Sequence, residues 1–379
     1  MRIELDSLLA AAIAGDALAA RRVAAADPDA VCLRGEYHGV LPLIADCLAT
    51  VEDVSPELRP RLRLHAARQA ASDLMQETEI RSTLAALDRA GIEALLLKGA
   101  HLAYACYARP DLRPRLDTDI LIPAAAKARV GEILREIGYE ASASSGGELV
   151  TYQASFVKHR QGLRLHVVDV HWRIANPQVF AGVLSFEELN RDAVAVPLLG
   201  PHARGLAPPH ALFLACVHRV AHHFDSNRLI WLYDIHLLAS ALSATEWEHF
   251  LSLIEQRRVA AVCRRSLDRA AQCFQTTIPP AAASDPRLRT PSRAEASAVY
   301  TRPRRVVHDI ASDLRALPSW RDRWRLVREH LFPPRQYMRE VYSMSKRTPL
   351  PWLYASRAVR GAWRRLDRAP APDDVSEIR

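Results

Sequence analysis

Lysine is nearly missing from this chain: Lys98, Lys127, Lys158 and Lys346 are its four lysines, against 47 arginines. A skew of that kind follows the base composition of a coding sequence, so most basic positions say little one by one. The six cysteines (Cys32, Cys47, Cys106, Cys216, Cys263, Cys273) include no C-x-x-C pair. That excludes a zinc ribbon and argues against a disulfide scaffold. Cys263 and Cys273 lie in an amphipathic helical pattern that suits buried free thiols. No run of 18 apolar residues occurs, which excludes a transmembrane helix. Residues Met1 to Asp6 lack a basic stretch leading into an apolar core, so no secretory signal is expected and the cytosol is the expected compartment. Aromatic residues make up only 7%, and long Ala/Leu/Arg stretches lean towards helix. There is no internal repeat.

What is present is an ordinary globular composition, 49% hydrophobic and 25% charged over 379 residues. At about 100–200 residues per domain there is room for two to four domains and a sizeable core. The formal charge of +8 is unevenly placed. Residues 301–379 carry 18 Lys/Arg against 9 Asp/Glu, whereas the first 300 residues carry 33 against 34. Basicity is therefore a C-terminal property, and nucleic-acid binding is not implied for the whole molecule.

Apolar spacing of three and four predicts helices over Asp6–Ala25 and Pro56–Leu87. The pattern changes at Gly91, where Ile92–Leu97 reads as a buried strand, followed by a helix over Ala100–Tyr107. Leu116–Ile122 alternates as a strand, and a helix over Ala124–Ile137 ends at Gly138. Val150–Lys158 and Leu163–Trp172 read as a hairpin joined near Gln161-Gly162. Helical periodicity returns over Pro208–Ala239 and Thr245–Phe274. The chain thus reads as an α+β protein, with a small mixed sheet over 89–200 flanked by helical segments. Those segments are 1–88, 201–278 after the sheet, a Pro/Ala/Ser-rich linker at 279–302, a basic helical region at 303–368 and a disordered tail at 369–379.

The chemistry centres on Asp117-x-Asp119. Period-two geometry puts both carboxylates on one face of a strand, roughly 7 Å apart at the backbone. Like charges so held are costly without a cation between them, and Mg²⁺ prefers carboxylate oxygens and phosphates. Lys98-Gly99 sits where a strand turns into a helix, a place that exposes backbone N–H groups to an anion. Asp169 shares a strand face with His171, opposite the apolar Val168, Val170 and Trp172. Such an acid needs a partner: a metal, or a salt bridge to Arg164 or Arg173.

This order resembles the nucleotidyltransferase superfamily with a DNA-polymerase-β-like palm. More closely, it looks like a bacterial group of largely uncharacterised nucleotidyltransferases with Lys-Gly in place of Gly-Ser. The matching residues are Leu97-Lys98-Gly99-Ala100, Tyr107, Leu112-Arg113-Pro114, Asp117-Thr118-Asp119-Ile120-Leu121, Gly138-Tyr139 and Val168–Arg173. Leu229–Asp234 and Leu331-Phe332-Pro333 also fit, so the resemblance spans roughly residues 35–345. It implies a nucleoside triphosphate, ATP foremost, bound with two Mg²⁺ ions by Asp117, Asp119 and Asp169. Asp169 would also help activate the acceptor hydroxyl, and Lys98 and Gly99 would receive the β/γ-phosphates. Arg113, His171 and Asp234 would complete the nucleotide site. The acceptor is left open among small molecules, sugars, proteins and RNA. Arg115-Leu116 stands where a small residue is usual and Thr118 where an aliphatic one is, changes that spare the ligands and are expected to alter the pocket wall.

Two other readings stand beside this one: a catalytically inactive palm that binds nucleotide for regulation, and a histidine-based metallohydrolase. The latter draws on His210, His218, His222, His223 and His236, where His218 and His222 share a helix face; no H-E-x-x-H accompanies them. Asp234 is equally open to a salt bridge with Arg228 or Arg219. In the basic C-terminal region, Trp320, Trp324, Trp352 and Trp363 alternate with arginines. That pattern suits contact with an anionic partner or a solvated helical face.

Overall fold

The structure is a computed structural model that describes residues 2–142, 146–289, 295–302, 306–342 and 348–357. The expected disordered tail at 369–379 and Trp363 lie outside the described residues. The chain opens with four short helices, α1 (Arg2–Ile13), α2 (Ala17–Ala24), α3 (Pro28–His38) and α4 (Leu41–Cys47). The helix expected over Asp6–Ala25 is broken because Gly15 takes a left-handed φ of 96° and Asp16 caps α2, accepting from Leu18 N and Ala19 N. Asp27 caps α3 in the same way. The 32-residue α5 (Leu58–Arg89) then runs between two cores. Leu58 and Leu62 join the apolar cluster of α1–α4, and Ile80, Leu84 and Leu87 join a second cluster beneath the sheet.

Among the described residues one sheet is formed by β1 (Leu95–Leu96), β2 (Thr118–Leu121), β3 (Tyr139–Ala141), β4 (Gln153–Arg160), β5 (Leu163–His171), β6 (Val194–Ala195) and β7 (Arg204–Gly205). Its order is β3-β4-β5-β2-β1-β7-β6. β2 lies in the interior, antiparallel to β1 and parallel to β5. The hairpin β4–β5 closes at Gln161 (φ 53°) and Gly162 (φ 77°), consecutive left-handed residues of the kind that match the twist of paired strands. Helices α6 (Lys98–Ala105) and α7 (Lys127–Glu136) cover one face with α5, burying Ile120, Val168 and Val170 against Leu84, Ala103, Val130 and Leu134. Leu95, Leu97 and Leu121 point the other way, into the larger cluster. Alternation along each strand therefore separates two cores, and the polar residues of the second face meet the helical body.

After α8 (Gln178–Ala181) and α9 (Phe186–Arg191), that body is built by α10 (Pro208–His222), α11 (Leu229–Ala241), α12 (Ala244–Gln256) and α13 (Ala260–Phe274). It shares one apolar cluster with α1–α4. The two long helical stretches expected here are each split in two. Phe224 and Asp225 break the first with φ of 51° and 60°, and Arg258 breaks the second with φ of 55°. The expected linker at 279–302 carries α14 (Pro280–Ser284), α15 (Pro286–Arg289) and a 3₁₀ turn over Ala296–Thr301. Ala282, Leu288 and Tyr300 are buried in the main cluster, with Tyr300 edge-on to Phe180 at 4.9 Å. A few well-placed apolar residues in a proline-rich stretch suffice to dock it.

The basic region forms α16 (Val306–Ala316), α17 (Trp320–Leu331) and α18 (Arg335–Tyr342). Asp313 accepts from Gln178 N, and Glu329 accepts from the backbone of Glu148 and Leu149. Trp320, Trp324 and Trp352 are more than half exposed. No helix among the described residues is long and apolar enough to cross a membrane.

The α10–α11 turn is held by a buried charge. Arg219 has no solvent exposure; it donates to the Asp225 carboxylate, to Ser226 O at 2.9 Å and to Ser266 Oγ at 3.3 Å. Removing one partner of such a pair strands the other charge in the core. Asp225→Ala should therefore destabilise the protein by about 3–5 kcal/mol in urea unfolding, and Arg219→Met in the same background should recover most of that loss.

Candidate active site

Strand register brings the acids together. In the parallel β2–β5 pair Asp119 lies opposite Asp169, and Leu121 lies opposite His171. Period two sends Asp119, Asp169 and His171 to the face that meets α10 and α11, while Thr118, Ile120, Val168 and Val170 face α5–α7. Asp117 precedes the first residue of β2, beside Leu116, which is 79% exposed and marks the mouth of the cleft.

Lys98 comes from the turn between β1 and α6. Its φ of 48° is left-handed, a conformation that costs a lysine energy and persists where surrounding contacts impose it. Leu97 N donates to Asp119 O at 3.0 Å, tying this turn to β2. Lys98 Nζ then donates to Asp119 Oδ1 at 2.7 Å, and His171 Nε2 lies 2.7 Å from the same oxygen. The first turn of α6 has no side-chain cap.

The carboxylates differ in their charge environment. Asp119 is buried, which opposes ionisation, but Lys98 and His171 outweigh burial and hold its carboxyl far below the usual range. Asp117 goes the other way: burial, with Asp119 and then Asp169 nearby, pushes its carboxyl up to about 7. Asp169 accepts from Gln153 Nε2 at 3.3 Å through Oδ2, while Oδ1 is buried with no hydrogen-bond partner among the described residues. Neither Arg164 nor Arg173 answers it; Arg173 lies over the Tyr152 ring instead.

The opposite wall is α10, α11 and their turn. Burial, reinforced by the charge of Lys98, holds His218 well below the ordinary imidazole range and His222 and His223 down to about 3, so all three rings are neutral at pH 7. His218 lies 4.6 Å from His223 and 5.3 Å from His222 between ring centres. His223 stacks on Trp231 at 3.7 Å. Arg113, after a short turn over Pro110–Leu112, makes a bidentate pair with Asp234 of α11 (2.8 and 2.7 Å), and Tyr107 donates to the same carboxylate at 2.7 Å. A small cavity lined by Lys98, Leu102, Arg113, His218, Trp231 and Asp234 opens between these walls.

Arg228 stands apart. Its guanidinium lies 4.9 Å from the Trp231 ring and 5.9 Å from that of Tyr37, its Nε is buried without a hydrogen bond, and it has no carboxylate partner among the described residues. Burial and the nearby Arg113 hold its pKa below the usual guanidinium value. Arg228 carries no sequence signal among so many arginines; only the three-dimensional lack of a partner singles it out. The structure thus gathers Lys98, Asp117, Asp119, Asp169 and His171 around one point, whereas Arg113 and Asp234 satisfy each other. Asp234 pairs with neither Arg228 nor Arg219.

Of the three unusual residues near the acids, Arg115 and Thr118 turn away from the cleft rather than shape its wall. Arg115 pairs with Asp73 of α5 and reaches Tyr104 OH at 2.7 Å; Thr118 Oγ1 lies 2.9 Å from His166 Nε2. Both belong to the polar seam between the sheet and α5.

A divalent cation fits these residues. One donor atom each of Asp119, Asp169 and His171 lies within 4.8 Å of the others, and the unpartnered Asp169 oxygen and the raised Asp117 carboxyl both report uncompensated negative charge. Asp117 stands just outside that trio. Among the described residues His218, His222 and His223 form no such donor group. Residues 24–275 match a protein family described as uncharacterised nucleotidyltransferase. No curated protein matches the chain.

The raised Asp117 carboxyl has a stability consequence. Its folded pKa of about 7 exceeds the ordinary 3.8, so between those values the unfolded chain ionises first and folding loses stability as pH rises. In metal-free buffer Asp117→Asn should raise Tm at pH 8 by about 5 °C or more, the response to several kcal/mol, with little change at pH 4. Equal shifts at both pH values would contradict the assigned crowding.

Proposed function

The chain belongs to this nucleotidyltransferase family, and from that membership we propose that it moves a nucleoside monophosphate from a nucleoside triphosphate, ATP foremost, to an acceptor hydroxyl with the help of two Mg²⁺ ions. The observation that carries this reading is the in-register Asp119–Asp169 pair with its unpartnered oxygen, beside an Asp117 that burial and crowding keep partly protonated. Asp117, Asp119 and Asp169 would hold the ions, which supply Lewis-acid neutralisation of phosphate charge.

The remaining roles fall to the chain's own groups. Asp169 also helps to take the proton of the acceptor hydroxyl. Lys98, now paired with Asp119, carries its ammonium on a flexible stem and exchanges that carboxylate for a phosphate oxygen. The uncapped N–H groups at the start of α6 face the same anion. Arg113 is held by Asp234, so its part is to position α11 against the palm. Arg228 is the second cation offered to the phosphates, and the neutral histidines of α10 leave that balance undisturbed.

The test uses nucleoside triphosphates labelled at the α-phosphate, Mg²⁺ and cell extract, with label followed into small-molecule, sugar, protein and RNA fractions. Label transfer or pyrophosphate release should fall by about 10³-fold or more in the Asp117→Ala/Asp119→Ala double variant. Equal transfer by that variant would sink the assignment. A separate expectation concerns Arg228→Ala. Loss of a charge-assisted bond worth about 1.5–3 kcal/mol should raise the nucleotide KM by about tenfold or more, and an unchanged KM would remove Arg228 from the site.

A further inference from the structure

A second group of donors converges far along the chain from the palm acids. Asp192 closes α9, His210 lies in the first turn of α10, and His249 lies on α12. One donor atom of each lies within 4.8 Å of the others, and the two imidazole rings meet edge-on with centres 5.2 Å apart. His210 is 1% exposed, and its Nδ1 is buried with no hydrogen-bond partner among the described residues. Buried ring nitrogens in folded proteins are almost always satisfied, so this one asks for a partner. Asp192 and His249 are exposed, which leaves a path for an ion and a free coordination position for water.

The charge around the group suits a cation. Glu188 on α9 adds a second carboxylate nearby, and the adjacent Arg257 is already paired with it at 2.6 Å. Donor type decides which cation. Two imidazoles and one carboxylate suit a borderline-soft transition metal, whereas Mg²⁺ and Ca²⁺ favour all-oxygen sets. Zinc–ligand bonds of about 2.0–2.2 Å place tetrahedral donors about 3.3–3.5 Å apart. Donors already within 4.8 Å of one another need to close by at most about 1.5 Å, a movement that rotation of two exposed side chains supplies.

We propose that Asp192, His210 and His249 bind one zinc-class divalent ion that cross-braces α9, α10 and α12. The site is distinct in donor chemistry from the carboxylate-rich palm cluster, and it moves the metal-binding expectation for the histidine-rich segment from His218 and His222 to His210.

The test takes the full chain, strips it with chelator, and titrates Zn²⁺ by equilibrium dialysis with metal analysis, alongside thermal melts. Wild type should retain one equivalent and melt at a higher temperature when loaded. His249→Ala and Asp192→Asn, both at exposed positions, should weaken binding by roughly tenfold or more and abolish the thermal gain. The Asp119→Asn/Asp169→Asn variant should keep the equivalent. Failure of wild type to retain zinc would overturn the proposal. So would an equivalent that survives His249→Ala, or one that disappears with the palm acids.

Discussion

The burial of one negative charge, that of Asp119, organises the cleft. Its side chain is 9% exposed, and a carboxylate so placed is stable only where cations or donors surround it. Lys98 and His171 converge on a single oxygen of it. The left-handed Lys98 backbone, the Leu97–Asp119 bond and the parallel β2–β5 register all serve that convergence. Asp169 and Asp117 are then added on the same side without cations of their own, so they carry the uncompensated part of the charge. The asymmetry within the trio, one acid far below its usual range and one near neutrality, follows from which of them Lys98 reaches.

A second buried charge pair joins the palm to its helical body. Arg113 and Asp234 come from opposite walls and satisfy each other with Tyr107. The α11 helix is fixed at its N-terminal end as well: His38 Nδ1 accepts from Leu229 N at 3.2 Å, and Arg219 and Arg265 hold Asp225 in the preceding turn. His38 belongs to a network with Asp6 and Arg34, so the first helices of the chain reach the cleft through α11. Arg228 sits between these anchors. Its guanidinium, without a carboxylate partner among the described residues, is held between the Tyr37 and Trp231 rings, an arrangement that spends little conformational entropy when an anion arrives.

The palm was legible because its strands are short, apolar and punctuated. Gly91, Pro123, Gly138 and Gln161-Gly162 bracket the elements, and alternation alone placed Asp117 with Asp119 on one strand face and Asp169 with His171 on another. What the sequence concealed is pairwise. The parallel pairing of β2 with β5 joins residues some fifty positions apart, and no local pattern encodes that Asp234 answers Arg113 rather than Arg228 or Arg219. The helix breaks at Gly15, Phe224-Asp225 and Arg258 were hidden for a related reason: apolar periodicity continues across them, and only cap and turn chemistry interrupts it. Proline and alanine made 279–302 resemble a linker, although three apolar side chains seat it in the core.

Donor chemistry separates the two cation-ready clusters more clearly than position does. In the palm, two carboxylates and one imidazole share space with a tethered ammonium, so Lys98 and an arriving divalent ion compete for the same Asp119 oxygen. Under the proposed function that competition would make occupancy conditional: the lysine would need another anion to move to, which a phosphate would supply, and cation and nucleotide would then favour each other's binding. In the helical body, two imidazoles and one carboxylate have no lysine among them, and the nearest arginine is already bound to Glu188. Occupancy there depends on the metal alone. A group built for exchange suits a working site, and a group suited to steady retention suits a structural brace.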